Sequence, residues 1–363
     1  MICTKGNFWF VCTFFFFSVC LSHIMSSYLV TIRDTIYALT SCCFPNPSIY
    51  INKKNYKVIH LLGEGGYSFV YLVKEESSNR LFALKKIRCP MGDRALSDAM
   101  HEIDMYQLFQ SEYIIPVLDT SVLTDPDGTK TVYIFLPYYK RGNLQDNINA
   151  NNINKTFFPE KDLLEFFLKV CYALKVLHNH HELLPPASET AAEQQEHDDD
   201  HLVPYAHRDI KPSNILISDD GKTPILMDFG SVMKARIPIR SRQDGLLQQD
   251  IAAENSTIPY RAPELYDVQT GSMLDEKVDI WSLGCTMYAA AYGQNPFEAS
   301  VNEMGGSIAL AILNGHYKFP LDKEQDDPYS DEFRALIQFL LVIDPKERPT
   351  IHQVIEKLES ILQ

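Results

Sequence analysis

His207-Arg208-Asp209-Ile210-Lys211-Pro212-Ser213-Asn214 is the most specific stretch of this chain. It sets a carboxylate, an ammonium and a side-chain amide close together in one short loop. A strand-like run from Pro224 to Met227 then leads into Asp228-Phe229-Gly230, and Ala262-Pro263-Glu264 comes later. An Asp-Phe-Gly on its own is often only a turn. Its place about 20 residues after the first loop and ahead of an Ala-Pro-Glu makes chance a poor explanation.

Working outward toward the N-terminus, Leu62-Gly63-Glu64-Gly65-Gly66-Tyr67-Ser68-Phe69-Val70 lies between two runs of strand character. Glycines there let the backbone turn and approach phosphate oxygens without a Cβ clash. Tight hairpins use glycine too, so the run is weak evidence alone. The strand-loop-strand setting argues against a Walker loop and a Rossmann turn, both of which lead into helices. Phe82-Ala83-Leu84-Lys85 follows. A lysine pointing inward from an apolar strand needs an anion, because an unpaired buried ammonium is costly. Alternation sends Lys85 and Lys86 to opposite faces, and Lys85 is read as the inward one rather than an exposed strand residue. Phosphate oxygens and Glu102, on the helical run that follows, are its expected partners.

The wider pattern is α+β. Tyr56 to Leu62, Phe69 to Val73, Arg80 to Arg88, Tyr113 to Leu123 and Thr131 to Leu136 read as strands. Ser97 to Gln110 reads as a helix capped by Ser97. Beyond Lys161 the helical period dominates, over Leu163 to His178, Val278 to Tyr292, Ser307 to Leu313, Asp331 to Leu341 and Ile351 to Leu362. A β-rich region of 51–137 followed by a helical one of 138–363 predicts two lobes. Within the second, 181–203 is polar and acidic and reads as a flexible insertion. Its histidines, with His180, lack a fixed scaffold for metal and read as solvated.

The 363 residues carry a formal charge of −14, which argues against nucleic acid as a partner. Eight cysteines show no zinc-type spacing. Cys171 and Cys285 fall in apolar helical patterns and suit a reducing, cytosolic setting. Phe8 to Leu21 is almost wholly apolar, a signal-peptide core or short anchor if taken literally. It is short for a spanning helix, which takes about 20 apolar residues. We prefer a second start at Met25, which leaves 1–24 out of the working protein. From Tyr28 to Leu39 apolar residues recur at helical spacing, and Cys42-Cys43 follows directly. That reads either as a packed strut or as an interfacial anchor over 25–50 with S-palmitoylated Cys42 and Cys43.

Together, the quoted motifs resemble those of protein kinases over residues 62 to 349. The resemblance implies a bilobal kinase fold with a β-rich N-lobe and a helical C-lobe. It implies ATP held by residues Leu62 to Val70 and Lys85, with Mg²⁺ on Asn214 and Asp228. Asp209 would accept the substrate hydroxyl proton, and Lys211 would neutralise charge on the transferred group. Glu264 would pair with Arg348, and Asp279 would support the catalytic loop. Lys211 and Thr257 resemble serine/threonine enzymes, so proteins carrying Ser or Thr are the expected substrates.

Leu61 to Val70, Leu136 to Gly142 and Tyr205 to Asp209 are similar to the Numb-associated kinases, and within them to the branch that holds a palmitoylated vacuolar-membrane enzyme of yeasts. That resemblance implies lipid anchoring through Cys42 and Cys43 at the cytosolic face of the vacuole, and a role in restraining vacuole fusion. It also implies an extra helix in the activation segment, for which Gly245 to Asn255 is the candidate. Ser68 stands where many kinases carry a third glycine. Arg208 is of a kind that often reads activation-loop phosphate, for which Ser231, Ser241, Ser256, Thr257 and Tyr260 are candidates. A pseudokinase scaffold and a single-pass membrane kinase are the alternative readings.

Overall fold

The computed structural model describes residues 48–65, 68–90, 93–181, 202–320 and 327–363. They fall into two compact units, one of 48–99 with Leu118–Tyr138 and one of Met100–Val117 with Tyr139–Gln363.

The first unit is a six-stranded antiparallel sheet in the order β1-β2-β3-β4-β6-β5. Its strands are β1 Ser48–Ile51, β2 Lys54–Glu64, β3 Ser68–Glu75, β4 Leu81–Cys89, β5 Asp119–Thr124 and β6 Lys130–Pro137. Side chains alternate across the sheet, and directly paired residues share a face. Tyr56, Val58, Val73, Phe82, Leu84, Tyr133 and Phe135 therefore meet on one face as a core cluster. Tyr56 lies 4.6 Å from Phe135 and sits edge-on to Phe82 at 6.1 Å. Full burial of such a side chain stabilises by about 2 kcal/mol. Lys86 shares that face. Lys85 is on the other, paired across the sheet with Val70 and Ile134.

Three local readings change. Residues 48–50, taken from sequence as the end of the 25–50 anchor, belong to β1, and Ile51 beside them is buried. A four-residue edge strand is too short for periodicity to reveal. The first helix among the described residues, α1, spans Asp93–Leu108, so Ser97 lies inside it and caps nothing. The strand read over Tyr113 to Leu123 shortens to β5, because Pro116 cannot donate to a ladder.

Residues 51–137 also do not stay together. Met100–Val117 belongs to the second unit. There Tyr106 stacks on Phe229 at 4.9 Å, and the Ile115 N–H donates to Leu226 O at 2.9 Å.

Helices build most of that unit: α2 Leu144–Asn154, α3 Glu160–His178, α4 Arg242–Asn255, α5 Lys277–Tyr292, α6 Pro296–Met304, α7 Ile308–Leu313, α8 Asp331–Leu340 and α9 Ile351–Leu362. Short antiparallel pairs join β7 Tyr205–Ala206 to β10 Met233–Lys234, β8 Ile215–Ile217 to β9 Pro224–Leu226, and β11 Ile237–Pro238 to β12 Met273–Leu274. Helix α5 is the axis, buried continuously from Val278 to Ala291. Gly284 lets α8 close on it, since a Cβ there would lie 2.9 Å from the Leu340 Cβ.

The ends of the 181–203 insertion are fixed. His181 bridges to Leu202, and the Val203 N–H donates to His180 O at 2.8 Å. The His180 ring packs edge-on against Phe109 at 5.2 Å rather than standing in solvent. Residues 182–201 lie outside the described residues, as do the leader, the segment up to residue 47 and Cys42-Cys43. No helix among the described residues is long and apolar enough to cross a membrane.

Candidate active site

In the sheet unit, the glycine-rich residues form the β2–β3 hairpin. Its described ends are tied by Gly65 N–H donating to Ser68 O at 2.8 Å, while Gly66 and Tyr67 lie outside the described residues. The register slips between Leu61 and Gly63, a bulge that bends the hairpin. Val70 at its exit is the direct partner of Lys85, so the sheet register alone sets that lysine beside the end of the loop.

In the helical unit, the catalytic loop hangs from Asp279 of α5, which has no solvent exposure. Asp279 Oδ2 accepts from the His207 N–H at 2.7 Å and Oδ1 from the Arg208 N–H at 2.8 Å. His178 Nε2 lies 3.0 Å from Oδ2 and must carry the proton, since a carboxylate only accepts. Burial pushes the Asp279 pKa up. The His178 hydrogen bond and the charges of His178 and His207 outweigh it and hold the carboxyl below its ordinary value. These bonds fix Arg208 in the left-handed region at φ 67°, a conformation that costs an L-residue about 1–2 kcal/mol.

Asp209 follows that strained residue and is nearly buried. Its Oδ1 accepts from the Thr257 N–H at 2.9 Å and the Thr257 hydroxyl at 2.7 Å. Lys211 Nζ lies 2.7 Å from Asp209 Oδ2 and donates to Thr257 Oγ1 at 2.7 Å. Asn214 Nδ2 donates to the Asp209 carbonyl at 2.9 Å and to its Oδ2 at 3.1 Å. Carboxylate, ammonium, amide and hydroxyl thus form one network.

Asp228 comes next, also left-handed, at φ 66°. Its N–H donates to the Tyr106 hydroxyl at 3.0 Å. Phe229 is buried between Tyr106 and His207, whose ring lies 5.4 Å away. A Cβ built on Gly230 would meet Glu102 Oε2 at 3.6 Å and Asp228 Oδ1 at 3.8 Å. Both carboxylates therefore face the same glycine.

The activation segment closes on Arg348, which is 1% exposed. Its guanidinium binds Glu264 through two parallel bonds of 2.7 and 3.0 Å, donates to Lys277 O at 2.7 Å, and lies over Trp281 at 5.3 Å. Planar bidentate pairing is what distinguishes arginine from lysine here. The extra helix is α4, starting three residues before the expected Gly245. Its Ser241–Asp244 capping box supplies that start.

Sequence reasoning missed Gln248. This glutamine lies on the buried face of α4, where its Oε1 accepts from both terminal nitrogens of Arg208 at 3.3 Å. No motif marks it.

The chain belongs to the protein kinase domain family, whose pattern matches residues 56–186 and 191–358. It is a serine/threonine protein kinase, and membership of the family brings ATP and a divalent metal as its cofactors. Serine/threonine-protein kinase ENV7 of Saccharomyces cerevisiae is 36% identical, over 92% of this chain and 100% of that one. Serine/threonine-protein kinase ppk13 of Schizosaccharomyces pombe is 35% identical, over 90% and 96%. Human serine/threonine-protein kinase 16 is 34% identical, over 88% and 94%. These relatives bear out the Numb-associated resemblance read from the loop segments.

Proposed function

We propose that Asp209 is the catalytic base of this kinase. The observation that carries the reading is the network in which Asp209 Oδ1 accepts from the Thr257 hydroxyl while Lys211 Nζ bonds the other carboxylate oxygen. Asp209 accepts there the kind of hydrogen bond that a substrate Ser or Thr hydroxyl would donate, and its aligned oxygen can take that proton as the oxygen attacks. Lys211 places a positive charge beside the transferred group.

Mg²⁺ is the divalent cation that the donors suit best. Asn214 turns its Nδ2 to Asp209, which leaves its amide oxygen for a cation, and Asp228 offers a carboxylate. Two oxygens from the protein leave most of a six-oxygen shell to phosphate and water, as Mg²⁺ prefers. ATP supplies the γ-phosphoryl group when bound. Leu62 to Val70 would cradle its phosphates and Lys85 would bind them.

Asp209→Ala is the decisive variant. Transfer from labelled ATP to a generic protein substrate should fall by about 10³-fold or more, while the variant keeps a cooperative melting transition and a wild-type circular dichroism spectrum at 25 °C. Undiminished label would remove Asp209 from the role.

The cellular reading is a lipid-anchored enzyme at the cytosolic face of the vacuole that regulates membrane fusion. Its supports are the Cys42-Cys43 pair after a segment of helical period, and the resemblance to the lipid-modified branch.

A further inference from the structure

Arg208 was expected from sequence to read a phosphorylated residue. Its guanidinium is already engaged: Gln248 Oε1 accepts from Nη1 and Nη2 at 3.3 Å, and the Met233 sulfur lies against Nη1. Arg208 and Gln248 are each 6% exposed. Burial lowers the Arg208 pKa, against the raising influence of the Asp279 and Glu264 charges.

The expected phosphosites are engaged elsewhere. The Ser231 hydroxyl donates to His207 O, and that of Ser256 donates to Ala252 O. Ser241 caps α4, Thr257 bonds Asp209, and Tyr260 is partly buried in the short turn Ile258–Tyr260.

Helix α4 is built to present Gln248. Gly245, Gln248 and Ala252 form its buried stripe, and the Gln249 amide donates to Tyr266 O at 2.5 Å. Gly245 allows a close approach, since a Cβ there would lie 2.8 Å from Val268 O.

We propose that Gln248 is a positioning residue for phosphoryl transfer: its side-chain carbonyl takes the place of an activation-segment phosphate on Arg208 and holds the neighbouring Asp209 in register without phosphorylation. An acceptor presented by a capped helix is permanent, whereas a phosphate is conditional. This enzyme is therefore competent as soon as it folds. The inference rests on Asp209 as the base and adds the group that steadies it.

The test uses the full chain treated with a broad-specificity phosphatase, with loss of phosphate checked by mass spectrometry. Dephosphorylated wild type should keep its kcat within about twofold of the untreated enzyme. Dephosphorylated Gln248→Ala should lose about tenfold in kcat with KM for ATP within about twofold, the split expected of a group that acts on the transfer step. Gln248→Glu, which keeps an acceptor oxygen, should recover to within about threefold.

Loss of activity on phosphatase treatment of wild type would overturn the proposal, and that arm needs no folded variant. Full activity of Gln248→Ala would also overturn it. Asp209→Ala runs alongside: if it stays inactive while Gln248→Ala is fully active, only the present inference fails. If it stays active, the base assignment falls and takes the inference with it.

Discussion

Asp279 carries three donors on one buried carboxylate, so its replacement is not a matter of one lost contact. Asparagine would keep one acceptor oxygen but turn an NH₂ toward backbone N–H groups. Leaving such donors unsatisfied costs about 3 kcal/mol in buried ionic networks. Asp279→Asn should therefore unfold at lower urea at pH 7 and transfer phosphate slowly, because the backbone of His207 and Arg208 loses its tether. The pH dependence has a definite sign. The folded-state pKa lies below the ordinary value near 3.8, so the contribution is present above about pH 4 and disappears as pH falls through the folded value. The deficit of the variant should narrow on acidification below about pH 4, and a deficit independent of pH would contradict the charged role.

At the scale of elements, α4 poses a contest between propensity and packing. Gly245→Ala should favour the helix by about 1 kcal/mol on propensity alone. The added Cβ would meet Val268 O at 2.8 Å, and that atom is backbone, which cannot rotate away. Overpacking of this kind costs about 1–3 kcal/mol and should win. Amide exchange across α4 should then quicken about tenfold in Gly245→Ala, while Leu246→Ala at an exposed position leaves it unchanged. Slower exchange would show that propensity prevails. The same contrast explains what could be read beforehand. Helix α9 was legible to its last residue because Ile351, Val354, Ile355 and Leu358 repeat at helical spacing. Helix α2 was not, since only Leu144 and Ile148 are buried in an asparagine-rich stretch. Asp209, Asn214 and Asp228 were singled out because loop chemistry constrains identity and spacing together. Gln248 was not, because its function depends on a contact 40 residues distant in the chain.

For the whole molecule, charge decides what kind of membrane attachment is workable. A net −14 offers no general attraction to an anionic leaflet. An anchor must then be apolar, and each buried methylene of an acyl chain contributes about 0.8 kcal/mol. One chain gives only reversible binding, whereas a pair, as proposed for Cys42 and Cys43, would give a stable anchor. Cys89, Cys171 and Cys285 do not compete as attachment points: they are buried, and burial pushes their thiols up and away from the nucleophilic form. The full chain expressed in yeast should pellet with membranes, resist extraction by 1 M salt (where the Debye length is about 3 Å), and be released by hydroxylamine, which cleaves thioesters. Cys42→Ser with Cys43→Ser should move it to the soluble fraction, and either single change should leave it divided between the two. Continued pelleting of the double variant would remove the cysteine pair as the anchor and turn attention to the apolar run from Phe8 to Leu21.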